Sequence, residues 1–153
     1  MAQLHGCDLR KGRVSIPGQI YLVTTVTHQR QPIFSNFHCA RFVIHSLRYV
    51  AQTRQLQSLC FVIMPDHLHW LFSLENTNNL SQVVADVKRR SAYRTNEQNQ
   101  RIGSIVWQPG FHDYALRKDD EIKDVARYVI ANPLRAGLVN KIGDYPFWDA
   151  VWL

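Results

Sequence analysis

Two strand-like runs near the middle of the chain are separated by only two residues, and this spacing limits the fold more than any other feature. Leu59–Met64 and His67–Leu74 are both rich in apolar, β-branched and aromatic residues, as buried strands are. The Pro65-Asp66 pair between them is typical of a tight turn. The sequence therefore predicts an antiparallel β-hairpin in the middle of the chain.

The segments on either side of the hairpin alternate between strand composition and helical periodicity. In chain order, they predict a strand at Ile20–Val26, a helix capped by Ser35 or Asn36, a helix capped by Asn79, a polar loop at Asn96–Gly103, a strand at Tyr114–Arg117 and a helix that opens at Asp119 or Asp120 and ends at Asn132-Pro133. This order is the split βαβ pattern followed by one more helix. We therefore expect an α+β, ferredoxin-like fold, in which an antiparallel sheet carries helices on one face and an extra C-terminal helix.

The size and composition of the chain fit a single domain without a membrane partner. Its 153 residues are 46% hydrophobic and 20% charged, and we expect one domain over 1–153 with a flexible N-terminal segment at 1–17. No apolar run reaches the roughly 18 residues that a membrane span needs. The three cysteines have no CxxC spacing, which disfavours a disulfide framework and indicates a reducing, cytoplasmic compartment.

An excess of positive charge points towards nucleic acid. The chain has 18 Lys and Arg against 12 Asp and Glu, a net charge of +6. Four of these basic residues lie on the later part of the second predicted helix, and phosphate contacts from such a helix would release counterions. A merely solvated basic surface is the alternative at this point. The candidate DNA contacts are Lys88, Arg89, Arg90, Arg94 and Arg117, with Tyr93 as a stacking surface.

The second strand of the hairpin carries two histidines at alternate positions. Because side chains at i and i+2 of a strand share a face, His67 and His69 project from the same side, about 7 Å apart at Cα. Leu68 and Trp70 then point into the core. That separation lets two imidazoles bind one divalent ion. Two incidental histidines on a solvated sheet face are the alternative that the spacing leaves open.

Tyr128 lies on the last predicted helix but outside its apolar stripe. The stripe consists of Ile122, Val125, Ala126, Val129 and Ile130. At about 100° per residue, Tyr128 points away from that stripe and towards a surface or cleft. Asn132 follows one turn later, so that a hydroxyl and an oxygen ligand are neighbours. An amphipathic tyrosine at the edge of the core is the alternative.

Several stretches of the chain together carry the pattern of a known family. They are Met64–Trp70, Trp107–Asp113, Ala126–Val139 and Asp144–Trp148. The first contains a His-hydrophobic-His signature, and the third contains Tyr-x-x-x-Asn-Pro on a predicted helix. Together they resemble the HUH single-tyrosine transposases, and among them the branch called REP-associated tyrosine transposases. The resemblance extends from about Gly18 to the C-terminus.

This resemblance implies a metal-dependent enzyme that cleaves and rejoins single-stranded DNA next to hairpins. By match to the family motif, Tyr128 would be the nucleophile that forms a 5′-phosphotyrosine link. His67, His69 and Asn132 would hold Mg²⁺ or Mn²⁺, although many relatives have the longer glutamine where this chain has Asn132. The implied partner is single-stranded DNA with hairpins. The relatives differ in dimerisation, so both a monomer and a homodimer stay open. The expected location is the bacterial cytoplasm, on the nucleoid when DNA is bound.

Two functions of other classes are alternatives. One is a zinc hydrolase in which His67, His69 and His112 hold the metal and a bound water attacks the substrate. The other is a protein that binds DNA hairpins without cleaving them. A covalent link between protein and DNA separates the transposase chemistry from both, because neither alternative forms one.

Overall fold

The computed structural model describes residues 18–75, 78–117 and 120–152, so the predicted flexible segment at 1–17 lies outside the described residues. Within these ranges, strands and helices alternate along most of the chain. In chain order, the elements are β1 (Ile20–Val26), α1 (Phe37–Thr53), β2 (Gln57–Met64), β3 (His67–Ser73), α2 (Leu80–Asn99), β4 (His112–Ala115), α3 (Ile122–Ile130), α4 (Asn132–Arg135) and β5 (Trp148–Ala150). None of the helices in these ranges is long and apolar enough to span a bilayer.

The strands form one antiparallel sheet in the order β4-β1-β3-β2-β5. The first four of these positions follow the ferredoxin-like arrangement that the order of elements predicted, which confirms the fold class. The fifth strand was not predicted. Trp148–Ala150 is only three residues long and pairs with β2, which is far away in sequence, so no local pattern marks it.

The two long helices lie on one face of the sheet, and the extra C-terminal helix lies on the other. The long helices α1 and α2 pack against each other over the face that carries Leu68, Trp70 and Phe72, all of which are buried. The shorter helix α3 packs over the opposite face, where Leu71 is fully buried beside the two histidines of β3. The sheet therefore separates a thick hydrophobic layer from a thinner one, and the thinner one contains the histidines.

The helix starts follow the predicted capping residues in two cases out of three. The Asn36 side chain accepts a hydrogen bond from the amide of Cys39, and the Asn79 side chain accepts one from the amide of Gln82. Helix α3 instead begins after Glu121, so the predicted start at Asp119 or Asp120 is wrong. The Asp120 carboxylate is engaged elsewhere, and Asp119 lies outside the described residues.

Two other predicted boundaries are also wrong. The expected loop at Asn96–Gly103 begins too early, because α2 continues to Asn99 and ends at Gln100 in a left-handed conformation. The Asn96 side chain donates to the carbonyl of Ser104 at 2.8 Å, and this contact supports the last turn of the helix despite its polar sequence. Strand β4 begins at His112, two residues before the predicted Tyr114, and this shift places His112 on the sheet.

The C-terminal segment is anchored to the core by aromatic side chains. Tyr145 is buried, and its hydroxyl donates to the carbonyl of Ile63 at 2.6 Å. Its ring lies edge-on to that of Phe147, whose carbonyl accepts a hydrogen bond from the Ile63 amide. These contacts hold the end of the chain against β2 and lead directly into β5.

Candidate active site

One face of the sheet and helix α3 enclose a pocket of about 680 Å³. Its wall contains the two histidines of β3, Tyr128 of α3 and Asn132 at the start of α4. These four residues were predicted as site residues from separate parts of the sequence, and the fold brings them into one pocket. Strands β1 and β4 supply the rest of the floor, including Thr24 and His112.

Both imidazole rings are held through the same ring atom. His67 Nδ1 lies 2.6 Å from the Asp66 carboxylate, and His69 Nδ1 lies 2.8 Å from the hydroxyl of Thr24. The two ring centroids are 4.8 Å apart. Because Nδ1 is engaged in each ring, Nε2 is the nitrogen that remains for a metal ion. The carboxylate and the hydroxyl thus fix the orientation in which a metal would meet the rings.

The electrostatic environment keeps His69 in the form that binds metals. Burial lowers the pKa of His69 to about 3, and the Coulombic interactions with His67 and Arg135 act in the same direction. At neutral pH, His69 is therefore an uncharged imidazole, which is the ligating form. For Asp66, burial acts to raise the pKa, but the hydrogen bonds and charges of His67 and Arg30 outweigh it and hold the pKa below its usual value. Asp66 stays ionised beside His67.

The Asn132 side chain is oriented by the proline that follows it. Pro133 has no amide hydrogen, so it cannot donate to the carbonyl of Val129 four residues earlier. The Asn132 side chain replaces that bond, since its Nδ2 donates to the Val129 carbonyl at 2.7 Å. The Oδ1 atom of Asn132 is then the one left for a cation. The Asn-Pro pair therefore both ends α3 and sets the direction of the amide.

Tyr128 is exposed to the pocket rather than packed in the core. Its side chain is 56% exposed, as expected for a position outside the apolar stripe, while Val129 and Ala126 of the same helix are buried. The guanidinium of Arg135 lies over the Tyr128 ring, 3.9 Å from its centroid. The phenol hydroxyl is thus accessible to a substrate, on the same pocket wall as Asn132.

His112 faces the same pocket from the neighbouring strand. It pairs with Thr24, which in turn pairs with His69, so the three side chains lie in a row across β4, β1 and β3. Among the described residues, however, no three His, Cys, Asp or Glu side chains are grouped closely enough to hold a metal ion. The zinc-hydrolase alternative would need His112 to complete a three-residue cluster with His67 and His69, and the described residues do not form one.

A second concave surface lies between α1 and α2. This groove, which we call the basic groove, measures about 720 Å³ and is lined by Phe42, His45, Ser46, Tyr49, Arg89, Arg90, Tyr93 and Arg94. Tyr93 is 63% exposed there, and the Arg90 guanidinium lies 4.0 Å from the centre of the Tyr49 ring. Because α1 and α2 cover the sheet face without the histidines, the basic groove and the pocket lie on opposite sides of the sheet.

The predicted DNA-contact residues do not all meet in this groove. Lys88 does not line it, because its ammonium group donates to the carbonyls of Gln108 and Gly110 at 2.8 Å each. It lies about 200° around the helix from Arg90. Arg117 is exposed in the segment after β4 and lines neither concave surface. The structure thus groups Arg89, Arg90, Arg94 and Tyr93, and separates Lys88 and Arg117 from them.

Comparison with known families decides the class of the protein. Residues 16–132 match the family of IS200-like transposases, which is most of the chain and includes every predicted ligand and the tyrosine. The chain belongs to the IS200-like transposase family. The resemblance to single-tyrosine transposases that the sequence motifs indicated is thereby confirmed.

Individual members of this transposase family are similar to the chain at low identity. A REP-associated tyrosine transposase of Escherichia coli (strain K12) is 25% identical over 104 residues, 67% of this chain and 59% of that protein. The chain thus spans less than two thirds of that relative's length. A Haemophilus influenzae protein that carries the same name provisionally is 24% identical over 140 residues, 85% of this chain and 78% of that protein.

A solved structure has the same fold as this chain. It is the structure of a REP-associated tyrosine transposase bound to a REP hairpin, with a TM-score of 0.73 and 21% sequence identity. The match covers 89% of this chain and 79% of that one. The sheet and helices described above are therefore an arrangement that a solved transposase also has.

Sequence reasoning missed three residues that contact the histidines or the tyrosine of the pocket. Asp66 directly precedes His67 in the hairpin turn, and this position was a usable signal for a partner of the ring. Thr24 is a polar residue within an apolar strand, but its contact with His69 depends on the register between β1 and β3. Arg135 meets Tyr128 across the break at Pro133, and no periodic pattern marks that contact.

Proposed function

We propose that this chain cleaves and rejoins single-stranded DNA next to hairpins, with Tyr128 as the nucleophile. The observation that carries the proposal is the meeting of His67, His69, Tyr128 and Asn132 in one pocket of a chain from a transposase family. The names of the similar proteins support DNA with a REP-type hairpin as the kind of substrate. The reaction would take place on DNA in the bacterial cytoplasm.

The donor atoms of the pocket fit a divalent cation. His67 and His69 would offer Nε2, because each Nδ1 is held by the protein, and Asn132 would offer Oδ1. Two neutral imidazoles and an amide oxygen can hold a divalent ion, and the phosphate oxygens of the substrate would complete the set. The resemblance to single-tyrosine transposases favours Mg²⁺ or Mn²⁺ as that ion. When bound, such an ion would withdraw charge from the non-bridging oxygens of the scissile phosphate.

The chain's own residues then account for the transfer. The Tyr128 hydroxyl gives up its proton as its oxygen attacks phosphorus, the new bond between tyrosine and phosphate forms, and the bond from phosphorus to the 3′ oxygen breaks. The 3′ oxygen takes up a proton and leaves as a hydroxyl, while the 5′ phosphate stays on Tyr128. Another 3′-hydroxyl can reverse the step, because the phosphotyrosine keeps the energy of the bond. No nucleotide cofactor is needed for rejoining.

The basic groove offers a place for further contacts with the DNA. Arg94 can neutralise a phosphate, and the exposed ring of Tyr93 can stack on a base. Arg89 and Arg90 share the Asp86 carboxylate at 2.6 and 2.9 Å, and they can add hydrogen bonds to the DNA backbone. A substrate must also present a backbone that bends into the pocket on the other side of the sheet, and single strands do this more readily than rigid duplex. His67, His69, Tyr128 and Asn132 meet within one copy of the chain, and a homodimer is a separate proposal.

The decisive experiment is a denaturing gel after incubation with hairpin-bearing single-stranded DNA and Mg²⁺. We expect a covalent protein–DNA adduct from the wild-type chain and none from Tyr128→Phe, which removes only the hydroxyl. The Tyr93→Phe variant keeps its ring and is expected to retain the adduct. His67→Ala and His69→Ala should lose cleavage but still bind the hairpin, because phosphate contacts elsewhere persist.

Other outcomes favour the alternatives. DNA hydrolysis without any adduct, supported by zinc and unaffected by Tyr128→Phe, would indicate the zinc hydrolase. Tight hairpin binding that survives a chelator, with no cleavage under any metal, would indicate a binding protein without catalysis. Mapping of the DNA to Tyr93 or Tyr114 would move the nucleophile and remove the role proposed for Asn132.

A further inference from the structure

Arg135 contacts Tyr128 in two ways at once. Its Nη2 donates to the backbone carbonyl of Tyr128 at 2.7 Å, and its guanidinium lies over the phenol ring, 3.9 Å from the centroid. The first contact ties the side chain to the end of α3, and the second covers one face of the ring with a planar cation. An exposed tyrosine otherwise has several rotamers available. The two contacts together favour one of them.

The charge of Arg135 is not neutralised in the way that its neighbours' charges are. Arg30, at the rim of the same pocket, pairs with Asp66 at 3.2 Å, and Arg127, next to Tyr128 in sequence, pairs with Asp124 at 2.8 Å. Within the ranges that the structure describes, no carboxylate pairs with Arg135. Its guanidinium is engaged by a carbonyl and a ring instead, so an acidic residue does not draw it away from Tyr128.

The short helix α4 places Arg135 and Asn132 on the same rigid unit. Pro133 is buried, and the amide of Arg135 donates to the carbonyl of Ala131, which fixes the helix against the end of α3. Asn132 lies at the start of this helix and Arg135 at its end. The helix therefore fixes the position of Asn132, an expected metal ligand, relative to Arg135, which covers the tyrosine ring.

We propose that Arg135 is a positioning residue, which holds the Tyr128 phenol in the orientation from which its oxygen attacks the phosphate. This inference rests on the proposed function, since it assigns how the proposed nucleophile is aimed. The planar guanidinium is essential to it, because only a flat group can stack on the ring while it donates to the carbonyl. A lysine at this position keeps the charge but lacks that geometry.

The test compares Arg135→Lys and Arg135→Gln with Arg127→Gln as the matched control. Arg127 is also an exposed arginine beside Tyr128, but it pairs with Asp124. At saturating hairpin DNA with Mg²⁺, we expect both Arg135 variants to form the adduct about tenfold more slowly or worse, since small misplacements of a reacting group are costly. Hairpin affinity of Arg135→Lys should stay within about twofold of wild type, since its charge is kept.

A spectroscopic readout reports the contact without any DNA. In protein labelled with 3-fluorotyrosine, the ¹⁹F resonance of Tyr128 can be assigned with Tyr128→Phe. It should shift in both Arg135 variants and stay in place in Arg127→Gln. A thermal unfolding curve checks that each variant is folded, which is expected because Arg135 is exposed.

The outcomes separate this inference from the proposed function. An active wild-type chain together with wild-type adduct rates in Arg135→Lys and Arg135→Gln overturns the inference alone. Full recovery by Arg135→Lys, with a loss only in Arg135→Gln, also overturns it, because charge rather than stacking would then matter. A wild-type chain that forms no adduct with any hairpin overturns the proposed function itself.

Discussion

The hydroxyl of Thr24 orients the ring of His69, and we expect its removal to weaken metal binding. It holds His69 Nδ1 at 2.8 Å, and partners of this kind fix the ring so that the other nitrogen meets the metal. We predict that Thr24→Val raises the Mg²⁺ or Mn²⁺ concentration for half-maximal cleavage by about 10- to 100-fold. A metal titration of adduct formation measures this directly.

Thr25 supplies the matched control for that substitution. It is the next residue of β1, its side chain points to the opposite face of the sheet, and within the described residues its hydroxyl has no hydrogen-bond partner. Thr25→Val should therefore leave the metal requirement unchanged. An equal rise in both variants would show that the effect comes from general damage to the sheet and not from the ring of His69.

Single residues of the pocket were predictable to the extent that local periodicity places them. The two-residue alternation along β3 was enough to place His67 and His69 on one face, and helical spacing was enough to place Tyr128 outside the core. Asp66, Thr24 and Arg135 needed more than periodicity. Their contacts depend on a turn, a strand register and a break in a helix, and these are properties of the folded chain.

At the scale of elements, the Asn132-Pro133 pair at the junction between α3 and α4 determines how a candidate metal ligand is oriented. Pro133 cannot donate to the Val129 carbonyl from the position four residues later, and Asn132 Nδ2 donates to this carbonyl instead. In Pro133→Ala the restored amide can donate to that carbonyl and compete with the Asn132 side chain. We predict that stability changes by no more than about 1 kcal/mol, because alanine favours the helix while a buried ring is lost.

Activity is expected to respond differently from stability in this variant. Once the side-chain amide of Asn132 is free to rotate, its Oδ1 no longer has a fixed direction. Cleavage should then fall several-fold, and the metal concentration for half-maximal cleavage should rise. Thermal unfolding and the metal titration, measured on the same preparation, separate the two effects. Unchanged cleavage in a folded Pro133→Ala protein would contradict the view that proline orients Asn132.

Elements were predicted well where a segment's own pattern determines them and poorly where distant contacts do. The bounds of β1 and the caps of α1 and α2 follow from local composition, and the structure agrees with them. The last turn of α2 is polar and was expected to be a loop, but it is helical, and the Asn96 side chain donates to the carbonyl of Ser104. Strand β5 forms only because β2 offers an edge.

At the scale of the whole molecule, the sheet separates the two surfaces that the proposal assigns to DNA. The sequence could predict a basic helix and a histidine pair, but not that they face opposite sides, because this depends on which face each helix covers. Lys88 illustrates the limit, since counting charges placed it with the DNA contacts while its ammonium binds two carbonyls. The arrangement implies that binding and cleavage can be altered separately.

The last prediction tests that separation. Arg94 lines the basic groove, is 57% exposed at the side chain and lies 3.9 Å from Glu97, so its charge is largely available to a phosphate. In Arg94→Gln, we predict weaker hairpin binding and a dependence of log K on log salt that is shallower by about 0.7 to 0.9, the loss of one phosphate contact. The adduct rate at saturating DNA should stay at the wild-type value, since the pocket is on the other side of the sheet.

Lys141→Gln is the control, because it removes an equal charge from an exposed position outside both surfaces. It should change neither the salt dependence of binding nor the adduct rate. If Arg94→Gln instead slows the adduct step at saturation and leaves the salt dependence intact, the groove does not serve as a separate binding surface.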